Sequence, residues 1–384
     1  MTRLRRSDPS AAGIIRRRRG SGWSYLAPDG SPVRDPATLE RCQALVLPPA
    51  WTDVWISHDP LGHIQAMGTD VAGRRQYRYH EEWRRQRDLM KFDRVLEFAD
   101  LLPGLRARVA EDIALPGMPK RRVLACAARL LDVGFFRNGS EEYAEQNQTF
   151  GLATVLREHV SLDSDGNVTF EYTAKSGKHR VTLVADPNVV EVVGALLARA
   201  GDPNPELLAF LDESEAWVDI KSRDINGYLQ EVAEGAEITA KDFRTWNATV
   251  LCAVALGVSE EAVTSPSSIK RAISRAVQET ADYLGNTPAV CRSSYIHPKI
   301  IDLFEGGITL AEDLDALGDE HQPGALAVEG AFEHAVAELL RDPQAVRMAH
   351  RRQRLAARAA TRAAARTGSG VRRTRRPAAV ASAA

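Results

Sequence analysis

The apolar period of this chain switches from strand-like to helical near Glu81, and that switch limits the fold to a largely segregated mixture of sheet and helix. Before it, apolar residues alternate in short runs broken by turn residues. "SYLAPDGSPV" (24–33) holds a Pro-Asp-Gly turn between two short extended pieces, and "VWISHDPLGHIQAMG" (54–68) holds another around Asp59, Pro60 and Gly62. After it, Leu89, Phe92, Leu96 and Ala99, then Val123, Ala127, Leu130 and Leu131, recur at helical spacing. One island of strand interrupts the helices: "HVSLDSDGNVTFEYTAKSGKHRVTLVAD" (159–186) has turns at 164–167 and 176–178, which predicts a three-stranded meander. Helical patterns resume at Pro187 and run to about Leu340. The expected fold class is α+β: a small β-rich N-terminal domain over 21–85, and a larger, mainly α-helical domain over 86–340 with one small three-stranded antiparallel sheet.

The net charge of −1 hides an uneven distribution. Residues 1–20 carry seven Arg against one Asp, and 341–384 carry 12 Arg against one Asp. Between them, 300–340 carries ten acidic residues and no Lys or Arg. Both basic ends are expected to be disordered arms that meet an anionic polymer. A 44% hydrophobic content over 384 residues is ample for a packed core. No apolar run reaches the ~18–20 residues of a membrane span, and no apolar stretch follows the basic start as in a secretory signal. The four cysteines, Cys42, Cys126, Cys252 and Cys291, form no CxxC pair and read as free thiols rather than a zinc site or disulfides. A cytoplasmic protein is expected.

No GxxxxGK[ST] phosphate loop, HExxH, acidic metal box or GxSxG elbow occurs. An enzyme built on this sequence is expected to work with no metal, nucleotide or other cofactor. Four segments stand out instead: "FFRNGSEEYAEQNQTFGLATV" with Arg137, the hairpin "FEYTAKSGKHR" with Lys175 at its turn, "ITAKDFRTWNA" with Arg244 on a helix started by Thr239, and "YLGNTPAVCRSSYIHP" with Asn286 nine residues before Tyr295.

In order and spacing these segments resemble the type IB DNA topoisomerase family, particularly its compact poxvirus and bacterial branch. The resemblance covers roughly 51–301 and includes "GRRQYRYHEEWRRQRDLMKFDR" (73–94). It implies that Tyr295 is the nucleophile, that Arg137 and Arg244 clamp the scissile phosphate, and that Lys175 is the general acid. Asn286 stands where many relatives carry His; it lacks an imidazole proton but keeps a hydrogen bond to a phosphate oxygen. The resemblance further implies duplex DNA as the partner, a clamp around it, a monomer associated with the nucleoid, and ATP- and metal-independent relaxation of positive and negative supercoils through a 3′-phosphotyrosyl intermediate.

The residue types suit that chemistry. Planar, permanently charged guanidinium grips two phosphate oxygens at once. Two Arg and an amide form an electrostatic clamp for the charge that spreads over the non-bridging oxygens. Nearby cations favour the phenolate of a tyrosine whose free pKa is about 10. His297, beside the nucleophile, reads as a cap.

The block "RRQYRYH" interleaves Arg74, Arg75 and Arg78 with Gln76, Tyr77 and Tyr79. In a strand Gln76 and Arg78 share one face, Tyr77 and Tyr79 the other, and the resemblance makes these six residues DNA contacts. Two other readings remain at this stage. A tyrosine recombinase or integrase shares the Arg-Lys-Arg-Tyr set, although its usual HxxR is here Lys241 to Arg244. A non-catalytic DNA-binding protein would not need the set intact.

Overall fold

In the computed structural model, which describes residues 3–71, 73–260, 263–318 and 330–352, a five-stranded antiparallel sheet occupies the first of two units that divide after Arg94. Its strands are β1 (Ile14–Arg19), β2 (Gly22–Leu26), β3 (Thr52–Ile56), β4 (Ile64–Thr69) and β5 (Arg75–Tyr79), in the order β2-β1-β3-β4-β5. Helix α1 (Pro36–Ala44) is started by Asp35, whose carboxylate accepts from Thr38 N at 2.8 Å, with Pro36 in the first turn. Ile14, Tyr25, Cys42, Val54, Ile56 and Ala66 form the core beneath the sheet.

Strand β1 corrects the expectation of a disordered arm over 1–20. The alternation is present but disguised, because one of its inward positions is an arginine. Arg16 is 8% exposed, and its guanidinium donates to the carbonyls of Leu47, Pro48 and Trp51 at 2.8–2.9 Å while lying 4.0 Å over the Trp23 ring. Three neutral carbonyls thus take up the two Nη groups of this buried cation without a carboxylate, while its buried Nε has no acceptor among the described residues. Upstream, Ser7 N donates to His63 Nδ1 at 2.8 Å and Trp55 Nε1 to Ala11 O at 2.9 Å, so this part of the basic start is also tied down.

Helix α2 (Glu81–Ile113) follows, then α3 (Lys120–Gly134) and α4 (Glu141–Asn147). The predicted meander is present as β6 (Val160–Leu162), β7 (Val168–Ala174) and β8 (Lys178–Val184), with Val160 opposite Phe170 and Val168 opposite Val184. After α5 (Pro187–Ala198) the expected all-helical run is broken by a hairpin, β9 (Ala209–Leu211) with β10 (Trp217–Asp219). Its strands are three residues each, too short to show an alternation, and the turn is organised by Asp212, which accepts from Ser214 N and Ala216 N.

The rest is helical: α6 (Ser222–Val232), α7 (Ala240–Val258), α8 (Pro266–Leu284), α9 (Pro288–Ser294), α10 (Pro298–Glu305), α11 (Ala311–Gly318) and α12 (Ala331–Arg341). Helix α7 is the spine, with Phe243, Trp246, Val250 and Leu256 buried. The acidic stretch is partly internal. Glu333 on α12 is 8% exposed and accepts from Trp246 Nε1 at 2.7 Å and from Arg106, which also pairs with Asp132 at 2.8 Å. Trp246, Arg106 and Glu333 thus join α7, α2 and α12 through polar contacts in the core.

The expected disordered tail over 341–384 also starts as structure. Residues 343–352 are helical. Asp342 caps them by accepting from Ala345 N at 2.9 Å, and buried His350 places Nε2 2.9 Å from Asp313 of α11. The remainder of that tail lies outside the described residues.

Candidate active site

Tyr295 sits at a joint between two short helices, and punctuation in the sequence makes the joint. Helix α8 stops at Gly285, whose φ of +63° is left-handed and costs a glycine nothing. Asn286 N closes the end on Ala281 O at 2.9 Å, and Pro288 restarts the chain as α9 with Thr287 as its cap. Seven residues later α9 ends at Tyr295, and Pro298 begins α10. Cys291 and Ile296, both fully buried, anchor the joint from within, while Tyr295 is half-buried. Thr249 of α7 fixes the exit, donating to Tyr295 O at 3.3 Å and accepting from His297 N at 3.1 Å. His297 caps α10, its Nδ1 accepting from Lys299 N at 3.2 Å, as the sequence suggested.

Arg244 lies one turn into α7. The helix start is secured by Asp242, which accepts from Thr239 N at 2.8 Å and from Thr239 Oγ1 at 2.9 Å. Arg244 is 2% exposed, its guanidinium 5.1 Å from the centre of the Tyr295 ring and hydrogen-bonded to that side chain. It also donates to Phe135 O, and to Leu284 O at 2.9 Å. Arg137 follows α3, on a segment braced where its carbonyl accepts from Leu152 N at 2.8 Å. Its Nη2 donates to Gly285 O at 3.2 Å and to Asn286 Oδ1. Asn286 is 8% exposed, and its Nδ2 is a buried donor with no acceptor among the described residues.

The electrostatics favour a phenolate. Burial raises the Tyr295 pKa, but Arg244, Arg137 and Lys241 outweigh it and hold the hydroxyl below its ordinary 10. Burial, then repulsion from Arg137, pushes Arg244 down to about 10, so it stays charged at neutral pH. Cys291, next to the joint, moves the other way: burial pushes its thiol up to about 11. All four cysteines are buried and free.

Four of the five predicted catalytic residues, Arg137, Arg244, Asn286 and Tyr295, are therefore brought together. Lys175 is exposed at the turn between β7 and β8. Its neighbours Ala174 and Lys178 line a cleft with Phe135, Arg180 and Gly285, which places the turn beside the same helix end. Two cations of this cleft escaped the sequence reading. Lys178 Nζ donates to Asn286 O at 2.8 Å. Arg180 donates to Gly134 O at 3.0 Å and Phe135 O at 3.3 Å. Only their place in a hairpin beside Lys175 could have drawn notice.

The six N-terminal residues belong to the other unit. On edge strand β5, Tyr77 and Tyr79 are 43% and 42% exposed and stack with ring centres 6.1 Å apart. The aromatic face of the strand is thus its open face. Gln76 and Arg78 are half-buried; Gln76 Nε2 and Arg74 both bond Asp70, at 2.9 and 3.0 Å, and Arg75 reaches Met67 Sδ at 3.2 Å.

Two family models match the sequence: the eukaryotic DNA topoisomerase I catalytic core over residues 80–320, and the bacterial DNA topoisomerase IB N-terminal domain over residues 22–70. DNA topoisomerase 1B of Acanthamoeba polyphaga mimivirus is 32% identical over 300 residues, covering 76% of this chain and 88% of the relative. DNA topoisomerase 1B of vaccinia virus (strain Copenhagen) is 24% identical over 282 residues, covering 72% and 85%. DNA topoisomerase 1 of Daucus carota is 26% identical over 163 residues, covering 42% and 19%. No described helix is long and apolar enough to cross a membrane. With a family model over its catalytic region, a second over its N-terminal sheet and a viral relative matched along most of both chains, this protein belongs to the type IB DNA topoisomerases, isomerases that act on DNA.

Proposed function

We propose that the enzyme relaxes positive and negative supercoils by cutting and resealing one strand through Tyr295, with neither ATP nor metal. Tyr295 releases its phenolic proton to solvent, its anion stabilised by Arg244, Arg137 and Lys241, and Oη attacks phosphorus as the bond from phosphorus to O5′ breaks. Lys175 gives a proton to the departing O5′, leaving a 3′-phosphotyrosyl link and a free 5′-hydroxyl. The duplex swivels, and the hydroxyl attacks in reverse. The phosphodiester energy stays in the tyrosyl ester, so resealing needs no nucleotide. Arg137, Arg244 and Asn286 stabilise the charge that grows on the non-bridging oxygens. Arg74, Arg75, Gln76, Tyr77, Arg78 and Tyr79 hold duplex DNA from the N-terminal sheet, so that the two units act as a clamp, and one chain suffices. The enzyme works at the nucleoid.

One observation carries the reading: Tyr295 is paired with buried Arg244, beside an Asn286 amide whose N–H donors await an acceptor that a phosphate oxygen supplies. The test is supercoiled plasmid incubated with the protein in EDTA without ATP. Relaxation of both signs of supercoil is expected. No relaxation without added metal or ATP would overturn the mechanism.

A further inference from the structure

Three successive backbone carbonyls end helix α8, and each accepts from a different cation. Leu284 O takes Arg244 Nη2 at 2.9 Å, Gly285 O takes Arg137 Nη2 at 3.2 Å, and Asn286 O takes Lys178 Nζ at 2.8 Å. The negative end of a helix dipole suits such a row of cations. Two of the three are the guanidiniums beside Tyr295; the third has no role in the chemistry set out above.

Lys178 is placed to matter. It opens β8 directly opposite Ala174, the residue that leads into Lys175. The turn between them, Lys175–Gly177, is exposed at Lys175 and Gly177, with Gly177 left-handed at φ +69°. Exposed segments generally open more readily than a packed core. The Lys178–Asn286 bond crosses 108 residues of sequence and joins the tip to the loop that carries the Asn286 amide. Below it, Arg180 ties β8 to the end of α3 through Gly134 O and Phe135 O.

We infer that Lys178 is a positioning residue: by holding Asn286 O it sets the β7–β8 tip, and so the Lys175 ammonium, at the distance from the phosphate at which O5′ can be protonated. The inference rests on Lys175 as general acid. Misplacing an acid by about 1 Å costs up to ~10²-fold in rate. Removing the tether should therefore resemble a partial loss of the acid rather than a loss of the phosphate clamp.

The experiment compares single-turnover cleavage of ordinary DNA with that of DNA carrying a 5′-phosphorothiolate at the scissile bond, whose thiolate leaves without a proton. Lys178→Met, Lys178→Arg and Lys175→Ala are measured together in the full chain. Lys178→Met should be slowed roughly ten- to hundredfold on ordinary DNA and be largely restored on the thiolate. Lys178→Arg, which keeps a donor of similar reach, should cleave ordinary DNA faster than Lys178→Met. Equal losses of Lys178→Met on both substrates, or no loss at all, would overturn the inference while rescue of Lys175→Ala leaves the general-acid assignment standing. If Lys175→Ala itself is not rescued, it is the general-acid assignment that fails.

Discussion

Arg137 fixes which way the Asn286 amide points. A guanidinium only donates, so the Asn286 atom it contacts must be Oδ1, and Nδ2 is thereby turned away as a donor. An asparagine held this way offers hydrogen-bond donors to an anion and no proton for transfer.

Asn286→Ala should lose about 10²–10³ in the single-turnover cleavage rate, the usual cost of one oxyanion donor. Asn286→Asp should be worse, because it sets a carboxylate against a phosphate. An Asp variant as active as the Ala variant would mean that Nδ2 does not face the phosphate.

Tyr295→Phe removes one hydroxyl and no packing. It should bind duplex DNA as the parent does, relax none of it, and yield no covalent complex on denaturing gels. A covalent adduct with this variant would identify another nucleophile.

Cleavage should rise with pH as the Tyr295 phenolate forms, with its midpoint below the ordinary tyrosine value because Arg244, Arg137 and Lys241 stabilise the anion. Deleting a cation removes part of that stabilisation, so Lys241→Met should move the midpoint upward. Lys241 is exposed, and added salt should shrink the difference. A pH–rate profile of Lys241→Met that shifts downward, or not at all at low salt, contradicts this account.

Gly285→Ala tests the helix end. The left-handed backbone would strain an alanine by about 1–2 kcal/mol, and its Cβ would come within 2.9 Å of Arg180 Nη1. A fall in melting temperature should accompany a larger fall in cleavage, since Arg137 and Arg244 bond carbonyls on either side of the strained peptide. Unchanged cleavage in a destabilised variant would show that the cation row tolerates that shift.

Truncation after Arg352 removes eight Arg and no acidic residue. Cleavage chemistry should persist, while the log–log dependence of DNA binding on salt becomes shallower by about 0.9 per lost phosphate contact. Equal slopes for the two proteins would mean the removed segment never touches DNA.

The sequence exposed the features written in local punctuation. Gly285, Pro288 and Pro298 mark the joint around Tyr295, and the period change at Glu81 separates sheet from helix. It hid features whose logic is remote or charged. Arg16 is an inward strand position that any alternation rule counts as outward, so β1 passed for a loose arm. His350 packs against Glu312 and Asp313, and its acidic partners lie far from the basic run in which it occurs. Lys178 and Arg180 act on main-chain oxygens, which carry no residue-type signature. The aromatic side of β5 could have faced either way; only the sheet, with Ile56 and Ala66 turned toward the core, makes Tyr77 and Tyr79 outward.

The row of carbonyls at Leu284, Gly285 and Asn286 also bears on how this site can evolve. An acceptor that belongs to the peptide bond survives every point substitution that leaves the backbone path intact. The main-chain contacts themselves therefore ask nothing of the side chains at 284 and 286, whose constraints come from elsewhere: burial for Leu284, and the contact with Arg137 for Asn286. The main-chain contacts of Arg244, Arg137 and Lys178 thus depend on the course of the backbone from 284 to 286 rather than on which residues occupy it. That course turns on the left-handed bend at Gly285, so the bend is where the whole row is exposed to a single substitution.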